Sequence, residues 1–284
     1  LQVKLYVHYT SYKLYVHYTN IKTLTSTINS SLYHSKYRMN QRKNVNYKPN
    51  HTTMQTIQQT IDSTPVRTFA TEQPEYLLIQ PSARHELKND GLNREAELIA
   101  QASNRGFVLA AFDTCQWARA LMPWHDDAVS VDCEVGLHAR HTLCFVLHRL
   151  LPWLEHSYGR MPCIVGGYSL GAMWALWAAC QTGKFGAVAA ASPSLWIDGW
   201  SIYAQANPIM AQSVYLSLGD REEHCRNQRM RLIGDSVRRQ HLLMQMQLGN
   251  HRTTLEWNHG GHFGDEPQRT ARAFAWCMDN LQQG

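Results

Sequence analysis

Six short apolar runs, at 76–80, 107–112, 163–165, 186–191, 214–218 and 253–257, alternate with segments of helical spacing at 93–104, 134–151, 170–181, 228–248 and 268–281. Runs of four to eight apolar residues bounded by turn signals read as buried strands. Strands that alternate with helices pack as a mainly parallel sheet with helices on both faces. The expected architecture is therefore a three-layer α/β/α domain. In such sheets ligands bind beyond the carboxyl ends of the strands. The residues that follow each strand are where chemistry is to be sought. Two local boundaries are also expected: Gly183 ends the Ala-rich helix at 170–181, and Pro152 stops the helix at 134–151.

The third run carries the sharpest signal. Residues 163–171 read C-I-V-G-G-Y-S-L-G, so a G-x-S-x-G follows a strand and opens a helix. A nucleophile elbow has this layout: the serine sits on a tight strand-to-helix turn, and its neighbours two positions away must be small. Gly167 and Gly171 meet that need, with Ala172 and Ala175 continuing the small face. The first helical N–H, that of Leu170, is then placed to stabilise an oxyanion.

A serine hydroxyl is a poor nucleophile unless a base takes its proton. Eleven histidines lie after Met54, but one follows the last strand in a glycine setting, N-H-G-G-H-F, with His262 at its second histidine. His259 is its neighbour in that loop, nearer the strand. An acid to orient the base is expected after the run at 214–218, where G-D-R-E-E offers Asp220 first and Glu222 two residues on. The order serine, acid, histidine is that of the α/β-hydrolases.

Composition divides the chain near Met54. Residues 1–53 contain no Ala, Gly, Asp, Glu, Trp, Phe or Cys and hold six of the eight Lys; K-L-Y-V-H-Y-T occurs twice, at 4–10 and 13–19. Formal charge is about +8 for 1–53 and about −3 for 54–284. The basic character thus belongs to the first segment and is no nucleic-acid footprint on the rest. This segment reads as low-complexity, without a fold of its own and outside a native product that would start at Met54. The seven Cys are odd in number and form no C-x-x-C, as expected of reduced thiols in the cytoplasm. The 23 residues between Arg160 and Lys184 carry no charge, but glycines, a proline and polar residues interrupt them, so no membrane span is expected. His138 and His141, one helical turn apart, lack a third ligand at metal spacing and read as a solvated helix face.

Four segments together, G-G-Y-S-L-G-A at 166–172, A-S-P-S-L-W at 191–196, Y-L-S-L-G-D-R-E-E at 215–223 and G-G-H-F at 260–263, resemble the putative-esterase family of α/β-hydrolases, in its siderophore-esterase and esterase D-like branches. The resemblance covers residues from about 75 to 280, and the domain is read as 54–284. It implies an α/β-hydrolase fold and cleavage of a small-molecule carboxylic ester through an acyl-enzyme, with no cofactor or metal. Ser169 would be the nucleophile and His262 the base. In the siderophore-esterase branch the acid stands in G-x-x-E, which here is Glu222; Asp220 is the alternative. A second oxyanion donor is expected in the loop after the first strand. Pro81 has no N–H there, so Ser82 or Ala83 would serve. L-M-P-W resembles a family segment L-S-P-W, which makes Trp124 and Trp117 candidate pocket walls, with Trp196 a third. Acyl transfer to an alcohol, or binding without catalysis on the same fold, are the alternative activities.

Overall fold

The computed structural model describes residues 6–10, 13–17, 54–130 and 134–281. The chain divides into two units, 1–51 and 52–284. In the first, β1 (Tyr6–Thr10) pairs antiparallel with β2 (Lys13–His17), from Tyr6 opposite His17 to Thr10 opposite Lys13. Each strand lies within one copy of the repeated heptapeptide. The rest of the segment read as low-complexity lies outside the described residues.

The second unit is built on an eight-stranded sheet. Its strands are β3 (Gln55–Ile61), β4 (Thr64–Ala70), β5 (Tyr76–Ser82), β6 (Phe107–Asp113), β7 (Cys163–Tyr168), β8 (Ala187–Ala191), β9 (Ser213–Gly219) and β10 (Thr253–Asn258), in the order β10-β9-β8-β7-β5-β6-β4-β3. The pairs from β10 to β6 are parallel, while β4 runs antiparallel to both β6 and β3. The six expected strands are thus the parallel part, and the β3–β4 hairpin adds to them. Its turn is two residues, Asp62 and Ser63, both with positive φ (46° and 66°). Such a turn matches the right-handed strand twist. Ile57, Gln59 and Ile61 alternate with more exposed neighbours along β3, the period-two pattern of a half-buried edge.

Every residue of β5, β6, β7, β8 and β9 is buried, as continuous apolar runs require of a sheet covered on both sides. On one face, α1 (Gly91–Ala102) and α8 (Glu266–Asn280) pack on Tyr76, Leu78 and Ile164. The other face carries α2 (Trp117–Leu121), α3 (Ala139–Phe145), α4 (Leu151–Tyr158), α5 (Leu170–Gln181), α6 (Trp200–Ala206) and α7 (Ile233–Leu248) over Leu77, Ile79 and Val165. Helix α5 is buried from Leu170 to Ala179. That explains the uncharged stretch around it, and among the described residues no helix is long and apolar enough to cross a membrane.

Pro152 does not stop its helix. A π-helical stretch, Val146–Leu150, joins α3 to α4, which runs on to Tyr158 with the proline in its first turn. Proline in a regular helix clashes with the carbonyl four residues back. The wider π turn just before it shifts that carbonyl and lets the helix continue.

Candidate active site

Ser169 connects β7 directly to α5 with φ 57° and ψ −120°. Such a backbone costs about 1–3 kcal/mol and persists only where its surroundings impose it. They do so here: Ser169 N donates to Ala191 O on the neighbouring strand (3.1 Å), and Ser169 O accepts from Met173 N and Ser194 N (3.1 Å each). The flanking glycines are required by space. A Cβ on Gly171 would stand 3.1 Å from Pro81 Cγ and 3.2 Å from the Trp117 ring; one on Gly167 would stand 3.2 Å from the Gly171 backbone.

The other two groups come from the ends of β9 and β10. His262 Nε2 lies 2.9 Å from Ser169 Oγ, and its Nδ1 lies 2.6 Å from Glu222 Oε2. Glu222 opens the short helical turn after β9 and is buried. Its second oxygen, Oε1, accepts from Gly219 N (2.7 Å), Ser192 Oγ (2.8 Å) and Arg269 Nη1 (3.0 Å). Burial by itself pushes this carboxyl up; hydrogen bonds from His262, Gly219 and Ser192, with the imidazole's charge, outweigh it and hold the group below its ordinary range. Asp220 is engaged elsewhere: it accepts from Gly260 N (2.8 Å) and lies 3.1 Å from His259 Nδ1. Those contacts, the Gly260 amide first, lower its carboxyl as well. Of the two acids, then, Glu222 meets His262 and Asp220 meets His259. Gly260, at φ 104°, makes the bend between the two histidines.

Leu170 is the first residue of α5, so its N–H precedes the intrahelical ladder. Ser82 ends β5; its hydroxyl donates to Glu86 Oε2 (3.0 Å), and Ala83 N donates to the same oxygen (2.8 Å). Trp117 packs on Gly171 at the first turn of α5. Trp124 instead donates from Nε1 to Asp198 O (2.7 Å), and its ring lies against Trp200 and Tyr203 of α6. Trp196 is half-buried against the larger core. His138 and His141 bring their Nδ1 atoms within 3.1 Å, and no group of three metal-binding side chains is present among the described residues.

Four further residues at the site were not anticipated. Ser194 Oγ lies 3.2 Å from Ser169 Oγ. Ser192 supports Glu222. Tyr168 donates its hydroxyl to His262 O (2.6 Å), and burial pushes its own pKa well up. Arg269 is buried on α8. Both serines stand in A-S-P-S-L-W and Tyr168 stands within the elbow. The arginine's only mark in the sequence is its position beside Thr270, Ala271 and Ala273 on the apolar side of α8.

The solved structures most similar in fold include the siderophore hydrolase EstA from Aspergillus nidulans, 18% identical, with 81% of this chain and 95% of that chain covered and a TM-score of 0.59. An IroE-like serine hydrolase from Shewanella oneidensis is 12% identical over 78% of each chain, TM-score 0.57. The enterobactin esterase FES from Shigella flexneri, in the presence of 2,3-di-hydroxy-N-benzoyl-glycine, is 16% identical over 78% of this chain and 59% of that one, TM-score 0.55. These likenesses agree with an α/β-hydrolase fold. A comparison with curated proteins finds no match. Residues 107–263, more than half of the chain and including the serine, acid and histidine just described, match the model of the putative esterase family. The chain belongs to that family and is a carboxylic ester hydrolase.

Proposed function

We propose that Ser169, His262 and Glu222 act as a catalytic triad on small-molecule esters of short or medium acyl groups. The observation that carries this reading is the His262 ring, with Ser169 Oγ at 2.9 Å on one side and Glu222 Oε2 at 2.6 Å on the other. His262 Nδ1–H donates to Glu222, which leaves Nε2 with a free lone pair facing the serine. Ser169 Oγ attacks the ester carbonyl while its proton passes to Nε2. The oxyanion that forms is stabilised by the Leu170 N–H; in the Ser82–Ala83 turn, the Ala83 N–H and the Ser82 hydroxyl are already committed to Glu86 Oε2. His262 returns the proton to the alkoxide, the C–O bond breaks and the alcohol leaves. Water then attacks the acyl-serine with the same histidine as base, freeing the acid and restoring Ser169.

Trp117, against the first turn of α5, walls the substrate side, with Trp124 and Trp196 as further candidate walls. The relatives named for siderophore and enterobactin hydrolysis make such esters the first to try. The six described cysteines are free, which supports work in the reducing cytoplasm. A fluorophosphonate probe should label the wild type at Ser169. Ser169→Ala should lose labelling together with p-nitrophenyl ester hydrolysis. Undiminished hydrolysis in that variant would refute the mechanism, and a panel of acyl esters that includes a siderophore ester would define the substrate.

A further inference from the structure

Arg269 is 3% exposed, and its guanidinium touches every segment that holds the base and the acid. Nη1 donates to Glu222 Oε1 (3.0 Å), Tyr168 Oη (3.0 Å) and Ser192 Oγ (3.3 Å). Nη2 donates to His259 O (3.2 Å) and Gly261 O (3.0 Å), the carbonyls on either side of Gly260. A buried guanidinium needs a counter-charge, and its one ion pair among the described residues is with Glu222. The planar fork of arginine is what allows one side chain to reach a carboxylate and two carbonyls at once.

Two consequences follow from this placement. The first is geometric. The loop that carries His262 bends at a glycine, and Arg269 pins it on both sides of the bend. Tyr168 links the two, since it accepts from Arg269 and donates to His262 O. The second is electrostatic. A cation on Oε1 withdraws charge from the carboxylate whose other oxygen faces the imidazole. A nearby positive charge favours the ionised carboxyl, so Glu222 stays charged, and keeps its hydrogen bond to His262, to lower pH than it would without that cation.

We infer that Arg269 is a positioning residue of the hydrolysis: it locks Glu222 to the His262 loop and keeps that carboxylate charged behind the base. The inference rests on the triad reading above. The other charged or titratable groups on the elements packed around the pair include Asp220 with His259, Arg221, Glu223 with Arg238, His224, Tyr168, Glu256 with Arg272, Asp265 with Arg94, and Glu266 at the start of α8. All of them remain when Arg269 is changed.

The test is the pH profile of kcat/KM on a p-nitrophenyl ester, with fluorophosphonate labelling rates alongside, for wild type, Arg269→Gln and Arg269→Lys. In Arg269→Gln, kcat should fall at least about tenfold with KM little changed, and the acid limb should move up by about one pH unit. Lysine keeps the charge but cannot span both carbonyls. Arg269→Lys should therefore keep the wild-type limb while kcat falls to an intermediate value. An acid limb that stays in place in Arg269→Gln overturns the inference, however much activity is lost. If that variant does not fold, Arg269→Lys decides: an undiminished kcat or a displaced limb overturns it, and lowered kcat on an unmoved limb supports it. Failure of the triad itself reads out separately, as hydrolysis that survives Ser169→Ala.

Discussion

Glu222→Gln replaces one carboxylate oxygen by an amide nitrogen, and the hydrogen bonds around it determine which one. Oε1 accepts from three donors: Gly219 N, Ser192 Oγ and Arg269 Nη1. The amide oxygen of glutamine must take that place, because an NH2 there would face donors with a donor. The NH2 is then left at the Oε2 position, 2.6 Å from His262 Nδ1 in the wild type. It can only donate, so Nδ1 becomes an acceptor and the ring proton moves to Nε2. His262 then points N–H at Ser169 Oγ and can no longer take its proton. An inverted tautomer of this kind costs on the order of 10³–10⁴ in kcat. Arg269 also loses its buried counter-charge, a further loss of about 3–5 kcal/mol in stability. Activity must therefore be measured well below the melting temperature of the variant. Asp220→Asn is the control. The Asp220–His259 pair is largely in solvent, with side chains 47% and 82% exposed, and solvent screening leaves such a pair little effect. Its kcat should stay within about threefold of wild type. Steady-state hydrolysis of a p-nitrophenyl ester and thermal melts of both variants make the comparison. A larger kcat loss in Asp220→Asn than in Glu222→Gln would refute the assignment of the acid and the tautomer argument with it.

Other outcomes follow from particular contacts. In Gly219→Ala the new methyl would run into Gly260 O and stand 3.0 Å from Glu222 Oε1 and 3.1 Å from Arg269 Nη1. It should push the acid turn away from the histidine loop, lower kcat at least about tenfold and destabilise the fold by about 1–3 kcal/mol; kinetics together with a melt test both. Glu95 is buried on α1, and burial pushes its carboxyl up to about 8. Its folded pKa is thus above its unfolded value, so the folded state holds the extra proton and stability falls as pH rises from about 4.5 to about 8. Glu95→Gln should remove that slope, with the gain in Tm over wild type larger at pH 8.5 than at pH 5; an equal gain at both would contradict it. Glu222 titrates in the opposite sense. Its folded pKa is depressed, so the stability it contributes is present above the ordinary glutamate range and lost as pH falls through the lower folded value. Between about pH 4.5 and pH 3, wild type should lose more stability than Glu222→Gln in melts.

Much of the molecule is written locally. Buried parallel strands need apolar runs, and such runs end visibly at glycines, prolines and acids. All six therefore stand out in the sequence, as does the order of serine, acid and histidine after three of them. The β3–β4 hairpin was less legible, because Q-T-I-Q-Q-T-I is mostly polar and its turn is Asp-Ser in place of a glycine pair. Pro152 misled for a different reason. The rule that proline ends a helix assumes regular α geometry, and the turn just before Pro152 is a π turn.

At the site, residue types and chain order were determined by the sequence alone: a serine between glycines, two acids on one turn, a histidine in a glycine loop. Which acid faces which histidine was left to the tertiary structure. The two acids are two residues apart, and a short helical turn sends Glu222 inward and leaves Asp220 in solvent. Arg269 was invisible for the same reason. It lies seven residues past His262 on the next helix, and its partners come from β7, the turns after β8 and β9, and the loop after β10. No local pattern records contacts between elements so distant along the chain. They exist only once the sheet has brought the carboxyl ends of its strands side by side.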